Sequence, residues 1–432
     1  MALDAELMKA VERLNYRVTA GDLASLAGLD VKRAEQGLLA LASEAGGHMQ
    51  VSDAGDIAYV FPRNFRQVLQ NKYFRLRLQA WWSKVWRVMF YLIRISFGIA
   101  LVASIVLIAI AIIAAMLALS AAQGDNDRDF DGGGMMTLPS MWIGPDWFWI
   151  FLPDTDRRYR REQAENASDP KTQMSFLEAV FSFLFGDGNP NANLEERRWR
   201  AIANVIRNQR GVVVAEQVTP YLDQINTATT DLEDYMLPVL TRFNGRPEVS
   251  PTGELVYHFP ELQVTAQQQN RLSVAAYLKE LPWRFSQATS GQLMMAAGLG
   301  VVNIVGALML GSLLRGGAAS LGGIVGLVGG IYGLLLAYAA GFLIVPLVRY
   351  LWIQGRNKAI AARNEMRQRR AEALNRLGPK IQEKLAFAQQ FALESVVDEA
   401  NLAYSTQEDL TAQELAQADK IDAEWRRRLE GH

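Results

Sequence analysis

VSDAGDIAYVFP, residues 51–62, and VSPTGELVYHFP, residues 249–260, are one phrase written twice at an offset of 198 residues. Val, Ser, Gly, Tyr, Phe and Pro recur in register, and Asp56/Glu254 and Ile57/Leu255 are conservative exchanges. Val51, Ile57, Tyr59 and Phe61 flank a turn around Asp53-Ala54-Gly55, which predicts a β-hairpin. Upstream of the first copy, VTAGDLASLAGL and DVKRAEQGLLALASEA predict helix, turn, helix. Asp30 is suited to cap the second of these, and Ala34, Leu38, Leu41 and Ala42 form its apolar face. Upstream of the second copy, RRWRAIANVIRNQRGVVVAEQVTPYL and LEDYMLPVLTRF repeat that order around a polar insert, INTATTD. A small helical bundle closed by a two-stranded wing is the winged-helix pattern, here present twice.

Each copy stands upstream of an apolar block. Residues 96–120, SFGIALVASIVLIAIAIIAAMLALS, carry no charge, and about 20 apolar residues cross a bilayer. Between Gly291 and Ile353 the only charge before Arg349 is Arg315, and Arg315-Gly316-Gly317 reads as a hinge between two membrane helices. Gly329-Gly330 and Pro346 are places where the second helix could kink or divide. Trp81, Trp82, Trp86, Trp142, Trp147, Trp149, Trp283 and Trp352 flank these blocks, as indoles do at the headgroup level. Basic residues precede the first block (Arg63 to Arg94) and follow the last (Arg349 to Arg370), which puts both chain ends on the cytoplasmic side. Three crossings cannot achieve this. Either the first block dips into the bilayer, or residues 318–353 are divided.

Charge narrows the partners. Overall, 44 Lys and Arg balance 45 Asp and Glu. Residues 1–56 hold five basic against nine acidic side chains, and residues 194–262 hold seven against ten. Such surfaces repel phosphates, so a nucleic-acid partner is not expected despite Lys32 and Arg33 at the start of the would-be recognition helix. Cysteine is absent, which excludes disulfides, a thiol nucleophile and thiolate ligation of a metal. The three histidines, His48, His258 and His432, show no metal or triad spacing.

The constellations that could carry chemistry have plainer readings. Asp127, Asp129 and Asp131 before Gly132 match the first half of a calcium loop, yet Leu138 stands where a bidentate Glu belongs. Asp187, Asn189, Asn191, Asn193 and Glu195 alternate in the same way, and Gly188 and Pro190 make them a turn, with Asn193 capping the helix from Leu194. Gly322, Gly326 and Gly330 are spaced for close helix packing or self-association. Arginines beyond the last block read as a positive-inside anchor. The following KIQEKLAFAQQFALESVVDEA is amphipathic, with Ile381, Leu385, Ala388 and Ala392 on one face and Phe391 alongside.

The run FSFLFGDGNPNANLEERRWRAIANVIRNQRGVVVAEQVTPYLD, residues 181–223, resembles a family of poorly characterised membrane proteins of cyanobacteria and chloroplasts. The N-terminal helix-turn-helix followed by GDIAYVFPRNF is similar to the same family's beginning. The resemblance covers most of the chain and implies a photosynthetic membrane, but no catalytic residues. Plastid members have been labelled iron–sulfur-cluster biosynthesis proteins, a label not carried across to a chain without cysteine.

The expectation is a mainly α membrane protein, with transmembrane helices, two winged-helix-like (α+β) modules and a C-terminal helical tail. Its parts are module 1 over 1–62, a basic amphipathic connector over 63–94 and transmembrane block 1 over 95–121. An acidic and aromatic interfacial linker over 122–193, module 2 over 194–262 and a connector over 263–290 follow. Transmembrane block 2 occupies 291–353 and a charged helical tail 354–432. The expected role is non-enzymatic: a scaffold or assembly and regulatory factor for membrane protein complexes in a cyanobacterial thylakoid or plasma membrane, with the N-terminus cytoplasmic. Expected partners are membrane lipids, other membrane proteins and copies of itself, and no cofactor is expected. The alternatives are a pore or transporter built on 291–353 and a membrane-tethered DNA-binding regulator.

Overall fold

A computed structural model describes residues 5–432 apart from 73, 123–173, 224, 226–232, 268–271, 317–322, 376–377, 399–400 and scattered positions from 414 onward. The chain is mainly α. In chain order the elements are α1 (Ala5–Arg13), β1 (Arg17–Thr19), α2 (Ala20–Ala27), α3 (Val31–Ala45), β2 (His48–Ser52), β3 (Ile57–Val60), α4 (Phe65–Lys72), α5 (Phe74–Ala122) and α6 (Phe176–Phe185). Next come α7 (Leu194–Asn208), β4 (Val212–Val213), α8 (Ala215–Val218), α9 (Leu237–Phe243), β5 (Arg246–Val249), β6 (Leu255–His258) and β7 (Val264–Thr265). The last are α10 (Ser290–Arg315), α11 (Gly323–Asn375), α12 (Pro379–Ala388), β8 (Ser395–Val396) and β9 (Leu402–Ser405). They fall into two compact units. Unit 1 gathers Met1–Ala80, Pro190–Leu281 and Ala359–His432, and unit 2 gathers Trp81–Asn189 and Pro282–Lys358.

Unit 1 holds both copies of the repeated phrase, and each is a hairpin. Strand order is β1-β3-β2 in the first copy and β4-β6-β5 in the second, all antiparallel. Register is shared too: Arg17 faces Val60 as Val212 faces His258, and Met49 faces Tyr59 as Pro247 faces Tyr257. The turns match atom for atom. The Ser52 N–H donates to Asp56 O at 2.9 Å and the Ser250 N–H to Glu254 O at 2.8 Å, while Gly55 and Gly253 adopt φ of 85° and 84°. Those left-handed values are open to glycine at little cost, which explains why the turn glycine recurs. Before each first strand the chain also turns left-handed, at Asn15-Tyr16 and at Arg210-Gly211.

Helix ends follow from local chemistry. Asp30 accepts from the backbone of Lys32 and Arg33 and so caps α3, whose Ala34, Leu38, Leu41 and Ala42 are buried. Thr19 and Asp22 form a capping box at the start of α2. The α3 helix ends on Gly46 and α9 on Asn244, both left-handed, and the next residue of each (Gly47, Gly245) donates back to Ala42 O and Leu240 O. The two copies share a single apolar core, in which Leu23, Leu38, Leu41 and Phe65 meet Ile202, Ile206, Phe243 and Phe259.

The tail does not read as the wholly helical segment expected. Pro379 starts α12, whose Leu385, Phe387 and Ala388 pack with Phe391 on Val212, Val214 and Val256 of the second copy. The tail then turns extended: β8 pairs in parallel with β7, and β9 adds a fourth strand to the first copy, giving β1-β3-β2-β9.

Unit 2 contains the helices long and apolar enough to cross a membrane. Three such stretches occur among the described residues: Trp81–Leu117, Ser290–Arg315 and Gly323–Leu374. They stack in layers. Leu101, Ala296 and Phe342 share one with Val180, Phe183 and Leu184 of α6. Ile108, Ala307, Leu310, Val328, Leu335 and Ala339 form the next, and Ala115 meets Val325 in the last. From this order α5 and α10 run the same way and α11 runs against them. The N-terminal side of α5 and the C-terminal side of α11 are therefore at one end of the bundle. Met174 is at that end as well, since Gln292 Nε2 donates to its carbonyl at 2.8 Å. The leg from Ala122 to Met174 lies outside the described residues.

A break separates α10, ending at Arg315, from α11, beginning at Gly323. Neither Gly329-Gly330 nor Pro346 divides α11, which continues for 53 residues. A proline costs a helix one N–H donor and crowds the preceding turn, and here the packed layers of Leu335, Ala339 and Phe342 just before it hold the helix together.

Candidate functional site

Four clusters hold the most buried ionisable groups among the described residues. The first joins the two copies. Asp22, on α2, is 1 % exposed. Its carboxylate accepts from Arg207 Nη2 at 2.7 Å, Thr265 Oγ1 at 3.0 Å, the Ala266 N–H at 2.8 Å and the Thr19 N–H at 3.2 Å. Arg207 also donates to Ser25 Oγ. A carboxylate so surrounded by donors is a fixed anion that positions backbone, with no lone pair left in reach of a substrate.

The second lies where the end of α11 meets the connector before α10. Arg367 is 1 % exposed and donates to Glu280, Asp223 and Leu278 O, while Arg363 grips Glu280 through two bonds of 2.7 and 2.6 Å. The Arg363 bonds, helped by Arg367 and opposed by burial, hold the Glu280 carboxyl below its ordinary range. Arg370 donates to Leu222 O at 2.9 Å. The reading of these tail arginines as a bare membrane anchor is corrected here: Arg363, Arg367 and Arg370 spend their donors inside unit 1.

The third is Lys384 of α12, 4 % exposed, within reach of Glu233 (2.8 Å), Glu216 (3.0 Å) and Glu254 (3.4 Å). Burial alone would depress its pKa, but the bonds to Glu233 and Glu216 outweigh that and raise it. Tyr257 donates to Glu233 at 2.7 Å. Burial together with Glu233 pushes the Tyr235 phenol up to about 12, away from any role as a base near neutrality. This cluster latches the tail to the second copy.

The fourth closes the α6 end of unit 2. Asp187, from the GDGNPN phrase, accepts from Arg94 Nη2 at 3.0 Å, Ser182 Oγ at 2.6 Å and the Gln287 N–H at 2.7 Å. Arg349 donates to Ser182 O and Phe285 O and lies over the Phe285 ring at 4.3 Å. Asn193 does sit before α7 but makes no side-chain cap bond, which corrects the expectation of a cap there. Asn191 is used instead, bonded to both the N–H and the carbonyl of Leu281.

The remaining expected site residues are placed as follows. Asp127, Asp129, Asp131, Trp142, Trp147, Trp149 and Gly322 lie outside the described residues. Trp81, Trp82 and Trp86 are exposed on α5. Trp283 and Trp352 pack edge to face with centroids 5.2 Å apart. A Cβ built on Gly326 or Gly330 would meet nothing within 4 Å; close approaches occur instead at Gly98, against Leu177, at Gly300, against Phe342, and at Gly311, against Tyr332. Among the described residues no group of three or more His, Asp or Glu is placed to hold a metal ion. Lys32 and Arg33 are exposed on α3, next to exposed Glu35.

Asn303 departs from these clusters in having no side-chain partner at all. It is 1 % exposed on the inner face of α10, between Gly300 and Ala307, and neither Oδ1 nor Nδ2 has a partner. Among the described polar residues of 291–353 it is the buried one. In sequence it is a lone amide in an apolar run, and the layer order places it facing inward.

No family model matches the chain, and no solved structure matches it. A search of curated proteins finds one from Arabidopsis thaliana, described as "Uncharacterized protein At5g03900, chloroplastic", 37 % identical over 421 residues, covering 94 % of this chain and 79 % of the relative. That description carries no iron–sulfur function. Identity of this level along nearly the whole chain spans both hairpin copies and all three apolar helices, and the chain belongs to the same family as this chloroplastic Arabidopsis protein.

Proposed function

We propose that this chain is a non-enzymatic integral membrane scaffold, an assembly or regulatory factor for protein complexes of a photosynthetic membrane. Its three apolar helices anchor it, and its two winged-helix-like modules offer a protein-binding surface. One observation carries the reading. In unit 1 the most buried charges, Asp22, Glu280, Arg367 and Lys384, are each tied into networks that join chain segments far apart in sequence, which is how a rigid platform is held and not how a reactive group is kept available. The chloroplastic relative supports a plastid-type membrane as the location.

Charge supports an orientation. The bundle end bearing Arg94 and Arg349 also carries Lys84, Arg87, Arg356 and Lys358, whereas the other end carries Arg315. By the positive-inside rule the former faces the cytoplasm or its plastid equivalent, and the N-terminal module precedes α5 on that side. Affinity purification of the full chain from detergent extracts should bring down membrane protein partners in fixed ratio. A chain that remains in solution without detergent, or that purifies alone after mild crosslinking, would defeat the reading.

The rival is a pore or transporter, and Asn303 is the observation that favours it, because a polar group within a membrane bundle is a candidate for solute contact. Solute flux into liposomes containing the purified chain, abolished by Asn303→Leu, would replace the scaffold reading.

A further inference from the structure

We propose that Trp283, Trp352 and Arg356 form a headgroup site for an anionic membrane lipid. The inference rests on the membrane reading above and adds to it a specific ligand class. Trp352 and Arg356 are four residues apart on α11 and so share a face. The Arg356 guanidinium lies over both indoles, 5.1 Å from the Trp352 ring and 5.2 Å from that of Trp283. Asn357 fixes Trp283 from behind, accepting its N–H at 2.8 Å and donating to its carbonyl at 2.9 Å. The indole pair is thus a built clamp, held by backbone bonds as well as by ring packing.

What the clamp holds is a cation without a counter-charge. Arg94 has Asp187, and Arg363 and Arg367 have Glu280, but Arg356 makes no ion pair among the described residues. Cation–π contact satisfies none of the guanidinium's N–H donors, which keep the fork geometry that suits phosphate oxygens. The depth is right for that acceptor. Arg349 marks the end of the apolar layers, and seven residues of helix carry the chain about 10 Å beyond it. That sets Trp352, about 4–5 Å beyond Arg349, within a headgroup layer about 5–8 Å deep, and the Arg356 backbone just past its rim, from where the long side chain reaches back into it. Exposed Arg284 and Lys358 flank the clamp and add positive potential that zwitterionic headgroups cannot use.

The test is native mass spectrometry of the full chain in mild detergent, titrated separately with phosphatidylglycerol, phosphatidylcholine and inorganic phosphate. Phosphatidylglycerol should be retained in preference to phosphatidylcholine. Arg356→Gln should weaken that retention about fivefold. Trp352→Leu should weaken it too, and Arg356→Lys should restore only part, because an ammonium lacks the planar fork of donors. Arg315→Gln, at the opposite end of the bundle, should change nothing. Equal retention of both lipids, unchanged retention in Arg356→Gln, or displacement of the lipid by inorganic phosphate at matched concentration would each overturn the site. A chain dispersed without detergent would remove the membrane reading itself, whereas a detergent-dependent chain with unaltered Arg356→Gln removes the headgroup site alone.

Discussion

At Met49 the first hairpin turns an N–H and a carbonyl outward, and Thr406 takes both, the N–H at 2.8 Å through its hydroxyl and the carbonyl at 2.9 Å through its own N–H. At Pro247, the same place in the second hairpin, there is no N–H to offer. An open strand edge invites pairing with other chains, and proteins blunt it by covering it or by placing a proline on it. The duplicated hairpin uses one device in each copy: β9 covers β2, and proline silences β5. A similar divergence marks the helices that precede them. Thr19 and Asp22 in the first copy stand where Val214 and Gln217 stand in the second, and of the two acceptors only Asp22 is drawn into contacts beyond its own turn. Shared backbone, in short, carries unequal tertiary duties.

The inequality can be measured. Asp22→Ala strips the partner from a buried arginine and should cost about 3–5 kcal/mol, whereas Gln217→Ala loses a cap bond and should cost about 1 kcal/mol. Thermal unfolding of the detergent-solubilised chain would read both, and equal costs would break the comparison. Gly47→Ala and Gly245→Ala probe what the copies keep in common. Each added Cβ collides with the Phe that follows the hairpin, at 2.9 Å from Phe61 and closer still to Phe259, so each should cost about 1–3 kcal/mol, with Gly245→Ala the larger.

The edge comes next in size. Met49→Pro should cost about 1 kcal/mol in the full chain, the worth of the lost bond to Thr406. In a chain stopped after Val397 the β2 edge is bare, and light scattering should show self-association that Met49→Pro suppresses. The smallest effects are those of pH on the tail. The Glu280 pKa is lowered on folding, so its contribution is present above its ordinary 4.5 and lost as pH falls through the lowered value. The Lys384 pKa is raised, so its contribution is present below 10.5 and lost as pH rises through the raised value. Glu280→Gln should flatten the acid limb of the stability profile and Lys384→Met the alkaline limb.

Much of this was legible in the sequence because it is local. Hairpin turns need a residue tolerant of positive φ, α3 needs Asp30 and a spaced apolar face, and the break after Arg315 needs only glycines. The tail strands were not legible: Ser395–Val396 and Leu402–Ser405 are too short to show a period of two, and their partners lie far back in the chain. The same reason hid the roles of Asp22, Glu280 and Arg367. Each has an ordinary surface residue's chemistry until a distant segment buries it. Pro346 misled in the opposite direction, since a local break signal was overridden by packing on both sides of α11.

Met49 and Thr406 are 357 residues apart. On a ribosome adding about 5–20 residues per second, the partner strand emerges roughly 20–70 s after the first hairpin. Throughout that interval the first hairpin must hold with its sheet unfinished while the three long apolar helices are still being made. A strand translated long after the first hairpin is thus the one that completes its sheet, and a chain cut before Leu402 would betray itself by a naked, sticky strand.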